Sequence, residues 1–136
     1  MEDVNKVYKH PPPLYSDAMI RLKRVYEKID VRDGERILVD KMWPRGIRRS
    51  TSNIDIWIKN VAPSNELRKW FSHDPKKWIS FKRKYKEELK DNKSLKKLVE
   101  IVKNADPVTI LYSSKDSAHN NAVVLLEVLK RELKKR

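Results

Sequence analysis

The 136-residue chain carries 32 Lys and Arg against 19 Asp and Glu, a formal net charge of +13, and no cysteine. The absence of thiols excludes disulfides, thiol catalysis and cysteine-ligated zinc. The length suits one domain able to bury its own core. The charge attracts polyanions and steers phosphorylated ligands, although a Lys-, Glu- and Ile-rich chain with two glycines also fits adaptation to heat.

The first residues, Met1-Glu2-Asp3-Val4-Asn5-Lys6, have no apolar stretch behind their charges, so no signal peptide is expected. No run approaches the roughly 18 apolar residues of a membrane span. A cytoplasmic protein with no membrane partner is the expectation. Residues 1–18 read as an arm in which His10-Pro11-Pro12-Pro13 favours extended polyproline geometry. Residues 19–136 read as the folded domain.

Ile20-Arg21-Leu22-Lys23-Arg24-Val25-Tyr26 alternates apolar and basic residues, the pattern of a half-buried strand. Asp33-Gly34 supplies turn chemistry. Residues 36–41, with three consecutive aliphatics, predict a strand buried on both faces. Residues 54–59 fit a weaker strand or a short helix. Ser64 can cap a helix running through Phe71, and Asp74-Pro75 pairs an N-cap carboxylate with a proline at the first helical position. Beyond it, Trp78, Phe81, Tyr85 and Leu89 recur every three or four residues on one inner face. Ser94 opens the next helix. Residues 107–112 form a β-branched strand introduced by a proline, and a last helix runs from about Ser117 to Lys134.

This order predicts an α/β fold: a single compact domain with a small, mainly parallel sheet of three to four strands flanked by helices. About nine residues join the first two strands. That is short for a crossover, so an antiparallel first pair is also open.

Three blocks in register resemble one family. They are Ile37-Leu38-Val39-Asp40-Lys41-Met42-Trp43-Pro44-Arg45-Gly46-Ile47; residues 57–75 from Trp57 through His73-Asp74-Pro75, continuing into Trp78, Phe81, Tyr85 and Glu88-Leu89; and residues 108–112 followed by Asp116 and His119-Asn120-Asn121-Ala122. Together they resemble the short, YeaO-like branch of the DUF488 family, over about residues 20–129. The resemblance implies a compact α/β domain. It carries over no established catalytic residue and leaves any cofactor unknown.

Ligands of open α/β sheets meet the carboxyl ends of the strands, and two of the best strands run out into distinctive loops. One is Trp43-Pro44-Arg45-Gly46; the other is Ser113-Ser114-Lys115-Asp116-Ser117, leading to His119, Asn120 and Asn121. Arg45 offers a planar, permanently charged fork for phosphate or carboxylate, and a helix start adds free N–H groups. Arg45, Trp43, Asp116, Asn120 and Asn121 are therefore the candidate ligand contacts. His119, expected in the first turn of its helix, is the candidate base, with His73 and Asp40 behind. The plainer alternatives are a salt bridge from Arg45 to Asp40 or Asp116, a packed Trp43, and a cap for Asp74.

No metal-ligand spacing is present. Two glycines make neither a dinucleotide fingerprint nor a P-loop, and Ser113-Ser114 lacks the glycines of a nucleophile elbow. The other constellation is basic. Lys82, Lys86 and Lys90 form a helical row at four-residue spacing, read as having no acidic partner at that spacing. Three functions are thus open: binding, with or without turnover, of a small anionic ligand at the carboxyl edge; nucleic-acid binding through the lysine row; or a partner-binding domain with no ligand of its own.

Overall fold

The computed structural model describes residues 20–105 and 107–135. The arm expected over residues 1–18 lies outside them. Four strands, β1 (Ile20–Arg24), β2 (Glu35–Leu38), β3 (Ile56–Trp57) and β4 (Val108–Tyr112), form one sheet in the order β1-β4-β2-β3, with every pair parallel. β1 and β2 are not neighbours. β4 is inserted between them and hydrogen-bonds to both, so no antiparallel pair arises. Of residues 54–59, expected as strand or helix, only Ile56–Trp57 is strand, forming β3, and a 3-10 turn, Lys59–Val61, begins at the segment's last residue.

Register explains how the sheet divides its faces, because alternate residues of a strand point opposite ways. One row, Leu22, Ile110, Ile37 and Ile56, faces the helices and joins the main core. That layer consists of α1 (Asn65–Phe71), α2 (Trp78–Lys90), α3 (Lys93–Asn104) and α4 (Asn121–Lys134). Within it Phe71 and Phe81 stack at 4.2 Å, and the buried Tyr85 hydroxyl donates to the Val61 carbonyl at 2.6 Å. None of these helices is long and apolar enough to cross a membrane.

The opposite face has two halves. Toward the carboxyl ends, Leu38 and Leu111 pack with Val25 beneath Trp43, Ile47 and Ile54 of the loop that follows β2 and Trp57 of β3. Toward the amino ends, Arg21, Thr109 and Arg36 are register partners around Asp33. Asp33 is 1% exposed and pairs with Lys23 at 3.0 Å, with Arg36 at 2.5 Å and with Arg21 at 3.4 Å. The alternation in β1 suggested solvent-facing basic residues, yet Lys23 is only 8% exposed. A lysine stem can line apolar surface while its ammonium reaches a buried carboxylate. Gly34, at φ 64°, abuts Pro107, whose carbonyl lies 2.1 Å from where a β-carbon would stand. Any side chain there would push the turn off β4.

Helix caps set the element starts. Ser64 accepts from the Leu67 N–H, and Asp74 accepts from the Lys76 N–H ahead of a 3-10 turn leading into α2. The other two starts differ from the sequence expectation. Asn92, not Ser94, caps α3 by accepting from the Leu95 N–H. α4 begins at Asn121 rather than near Ser117, because Asn120 is its cap and accepts from the Val123 N–H at 3.1 Å.

Candidate functional site

The exits of β1, β2 and β4 meet at the carboxyl edge of the sheet. After β2 the chain makes a braced loop. The Trp43 indole N–H donates to the Ile47 carbonyl at 2.6 Å, the Ile47 N–H reaches the Pro44 carbonyl at 3.4 Å, and the Tyr26 hydroxyl donates to the Arg45 carbonyl at 2.7 Å. Gly46 takes φ 82° with open space around it, so glycine serves the backbone conformation here and not a close contact. The loop exposes the Arg45 side chain. Among the described residues it forms no ion pair with Asp40 or Asp116.

Trp43 has a different position. It packs edge-on to Trp57 at 5.3 Å, and the Arg49 guanidinium sits 4.7 Å and 5.1 Å from the two ring centres. The Trp57 indole N–H donates to the Asp40 carbonyl at 2.8 Å. Trp43 therefore belongs to the loop-covered face of the sheet. His119 lies toward the helical face, its ring edge-on to Trp78 at 5.2 Å. The two candidates do not share a pocket.

Asp40 ties the strand exits together. Its carboxylate accepts from the Ser113 N–H at 2.9 Å and from the Ser113 hydroxyl at 2.7 Å, while the Asn121 amide donates to the adjacent Val39 carbonyl at 3.2 Å. Burial raises the Asp40 pKa. The hydrogen bonds from Ser113 and Asn121 and the charge of His73 oppose that rise without cancelling it. His73 is exposed, in left-handed backbone at φ 57° just after α1.

Asp116 organises its own loop. Its carboxylate accepts from the N–H groups of Ala118 and His119 at 2.9 Å and 3.0 Å and faces His119 Nδ1 at 3.0 Å. The Ala118 N–H and the His119 ring, outweighing burial, hold its carboxyl below the usual carboxylate range. With Nδ1 donating to Asp116, Nε2 is the nitrogen left over. His119 precedes the cap of α4 and so is not in the helix's first turn, as the sequence reading placed it. Asn120 is buried and engaged at both ends, its amide donating to the Asp116 carbonyl at 2.9 Å.

For two further residues here the sequence pattern predicts only a strand. Arg24 Nε donates to the carbonyls of Ser113 and Ser114, each at 3.1 Å, and its guanidinium lies 4.6 Å from the centre of the Tyr26 ring. Arg24 thereby joins the exits of β1 and β4, as Tyr26 joins those of β1 and β2. The available signal was their place at the carboxyl end of a strand.

The lysine row is not free of acids. Lys82 and Lys86 each pair with Glu127 of α4 at 2.9 Å, and Lys90 pairs with Glu87 at 3.1 Å. Two cavities of about 460 Å³ lie elsewhere, one beside Arg36, Asn53 and Asp55 at the amino end of β2, the other between α2, α3 and α4. Neither is lined by Arg45, Trp43 or His119. The candidate site is a shelf.

The family model described as the inactive DUF488-N3 subclade matches residues 19–136. An uncharacterized protein of Mycobacterium tuberculosis (strain H37Rv), Rv3073c, is 41% identical over 113 residues, which are 83% of this chain and 95% of that protein. The uncharacterized protein YeaO of Escherichia coli K12 is 39% identical over 111 residues, 82% and 96% of the respective chains. No solved structure matches.

Proposed function

The chain belongs to the DUF488 family, in its inactive N3 subclade, and on that premise we propose that it binds a small phosphate- or carboxylate-bearing ligand at the carboxyl edge of the sheet and does not transform it. The observation that supports this reading is Arg45, a guanidinium without an ionic partner among the described residues, carried on a loop braced by Trp43, Pro44 and Tyr26. A fixed backbone lowers the ordering cost of binding, and a planar fork suits bidentate contact with an oxyanion. The neighbouring carboxylates are engaged: Asp40 with Ser113, Asp116 with His119. No hydrogen bond joins Ser113 to His119 among the described residues, so they do not pair as nucleophile and base.

Nucleic-acid binding through Lys82, Lys86 and Lys90 is the weaker reading, since each lysine already has a carboxylate partner. A thermal-shift panel of phosphates, nucleotides, sugar phosphates and carboxylates tests the proposal. At about a hundred times its dissociation constant a true ligand adds roughly 2.7 kcal/mol of stability. The expected result is stabilisation of the wild type by one anionic class and a clearly smaller stabilisation of Arg45→Ala by the same class. A flat panel would refute the proposal.

A further inference from the structure

Resting on that reading, we infer that the ligand is a nucleoside phosphate, its base stacked on Tyr26 and its phosphate on Arg45. Tyr26 is 44% exposed, yet it is held more firmly than an exposed aromatic needs to be. Its hydroxyl is bonded to the Arg45 carbonyl at 2.7 Å, and its ring rests against the Arg24 guanidinium. That guanidinium is itself fixed by the carbonyls of Ser113 and Ser114. The nearby acid, Glu27, has its carboxylate occupied by the Arg24 N–H at 2.6 Å.

A flat ring is thus presented to solvent in one orientation, backed by a cation and joined through one hydrogen bond to Arg45, whose guanidinium has no ionic partner among the described residues. Held aromatic faces stack bases with little regard to sequence, and arginine adds cation–π attraction. A sugar phosphate or a dicarboxylate would engage Arg45 and leave the ring unused. A nucleoside phosphate engages both. The same chemistry is available from a free nucleotide and from a nucleotide unit of a single strand, and the surplus of positive charge favours either.

Calorimetric titration with inorganic pyrophosphate, ribose phosphate, AMP and a short single-stranded RNA tests the inference on wild type, Tyr26→Leu and Tyr26→Phe. AMP is expected to bind more tightly than ribose phosphate by on the order of tenfold. Tyr26→Leu should erase that preference, and Tyr26→Phe, which keeps the ring and loses the hydroxyl, should retain it. RNA that competes with AMP would identify a strand as the source; AMP binding alone would identify the free nucleotide. Pyrophosphate and ribose phosphate binding through Arg45 with no preference for AMP would overturn the nucleotide assignment and leave anion binding standing. So would an AMP preference that survives Tyr26→Leu. Failure of pyrophosphate as well would remove both.

Discussion

The Asp40 carboxylate accepts both the backbone N–H and the hydroxyl of Ser113, at 2.9 Å and 2.7 Å, and so locks the exit of β2 to the exit of β4. This pair holds two of the three strand ends that make the shelf. It does so with a carboxylate whose folded-state pKa is raised, chiefly by burial.

A raised carboxyl pKa has a definite sign in stability. Between the ordinary value and the folded value, the native state binds more protons at Asp40 than the unfolded chain does. Stability from this group therefore falls as pH rises through that window. Denaturation midpoints measured from about pH 3 to 7 should show the wild type losing ground to Asp40→Asn as pH rises. A difference constant across that range would contradict the assignment.

Asp33 has the opposite sign. Burial favours its neutral form, but the hydrogen bonds from Lys23, the Asp30 N–H and Arg36 outweigh it, and its pKa is lowered. Its contribution should be present above the ordinary carboxylate range and lost as pH falls through the folded value. Asp33→Asn leaves Lys23 and Arg36 buried without an anion, and breaking such a pair costs about 3–5 kcal/mol. Urea unfolding near neutral pH measures it. A loss under about 1 kcal/mol would mean that the cations find water or other acceptors.

Trp43 acts on the ligand through the loop. Trp43→Phe keeps an aromatic ring against Trp57 and removes the bond to the Ile47 carbonyl. The expected cost is about 1 kcal/mol of stability, with weaker pyrophosphate binding because the Arg45 backbone loses one brace. Unchanged affinity would show that the brace is irrelevant to the site.

Glu127 tests the lysine face. Glu127→Gln frees Lys82 and Lys86 from partly exposed pairs and should cost less than about 1 kcal/mol. RNA affinity should not change, because binding is assigned to Arg45 and Tyr26. A several-fold gain in RNA affinity would move the interface to α2.

What the sequence made legible was local. Ser64 and Asp74 each carry their capping partner within three residues, so both helix starts were readable from side-chain chemistry. The run at 37–39 was buried on both faces as its composition required. Contacts distant in sequence were not legible. The insertion of β4 between β1 and β2 joins segments some seventy or more residues apart. Glu127 reaches Lys82 and Lys86 from another helix, so spacing within α2 could not reveal it. Lys23 looked like a solvent-facing alternate until Asp33 placed a carboxylate within its reach. At the candidate site, the strand-end loops were found from sequence. The Arg24–Tyr26 element was missed because an alternating strand pattern already accounted for both residues.

The most direct measurement is calorimetric titration of pyrophosphate into wild type, Arg45→Lys and Arg45→Ala at fixed low salt. Charge-assisted hydrogen bonds contribute about 1.5–3 kcal/mol, so Arg45→Ala should weaken binding by roughly 10- to 150-fold. Arg45→Lys should recover only part of that loss, because a point charge lacks the planar fork. Equal binding by all three proteins, or no binding by any, would contradict a ligand site at the carboxyl edge built on Arg45.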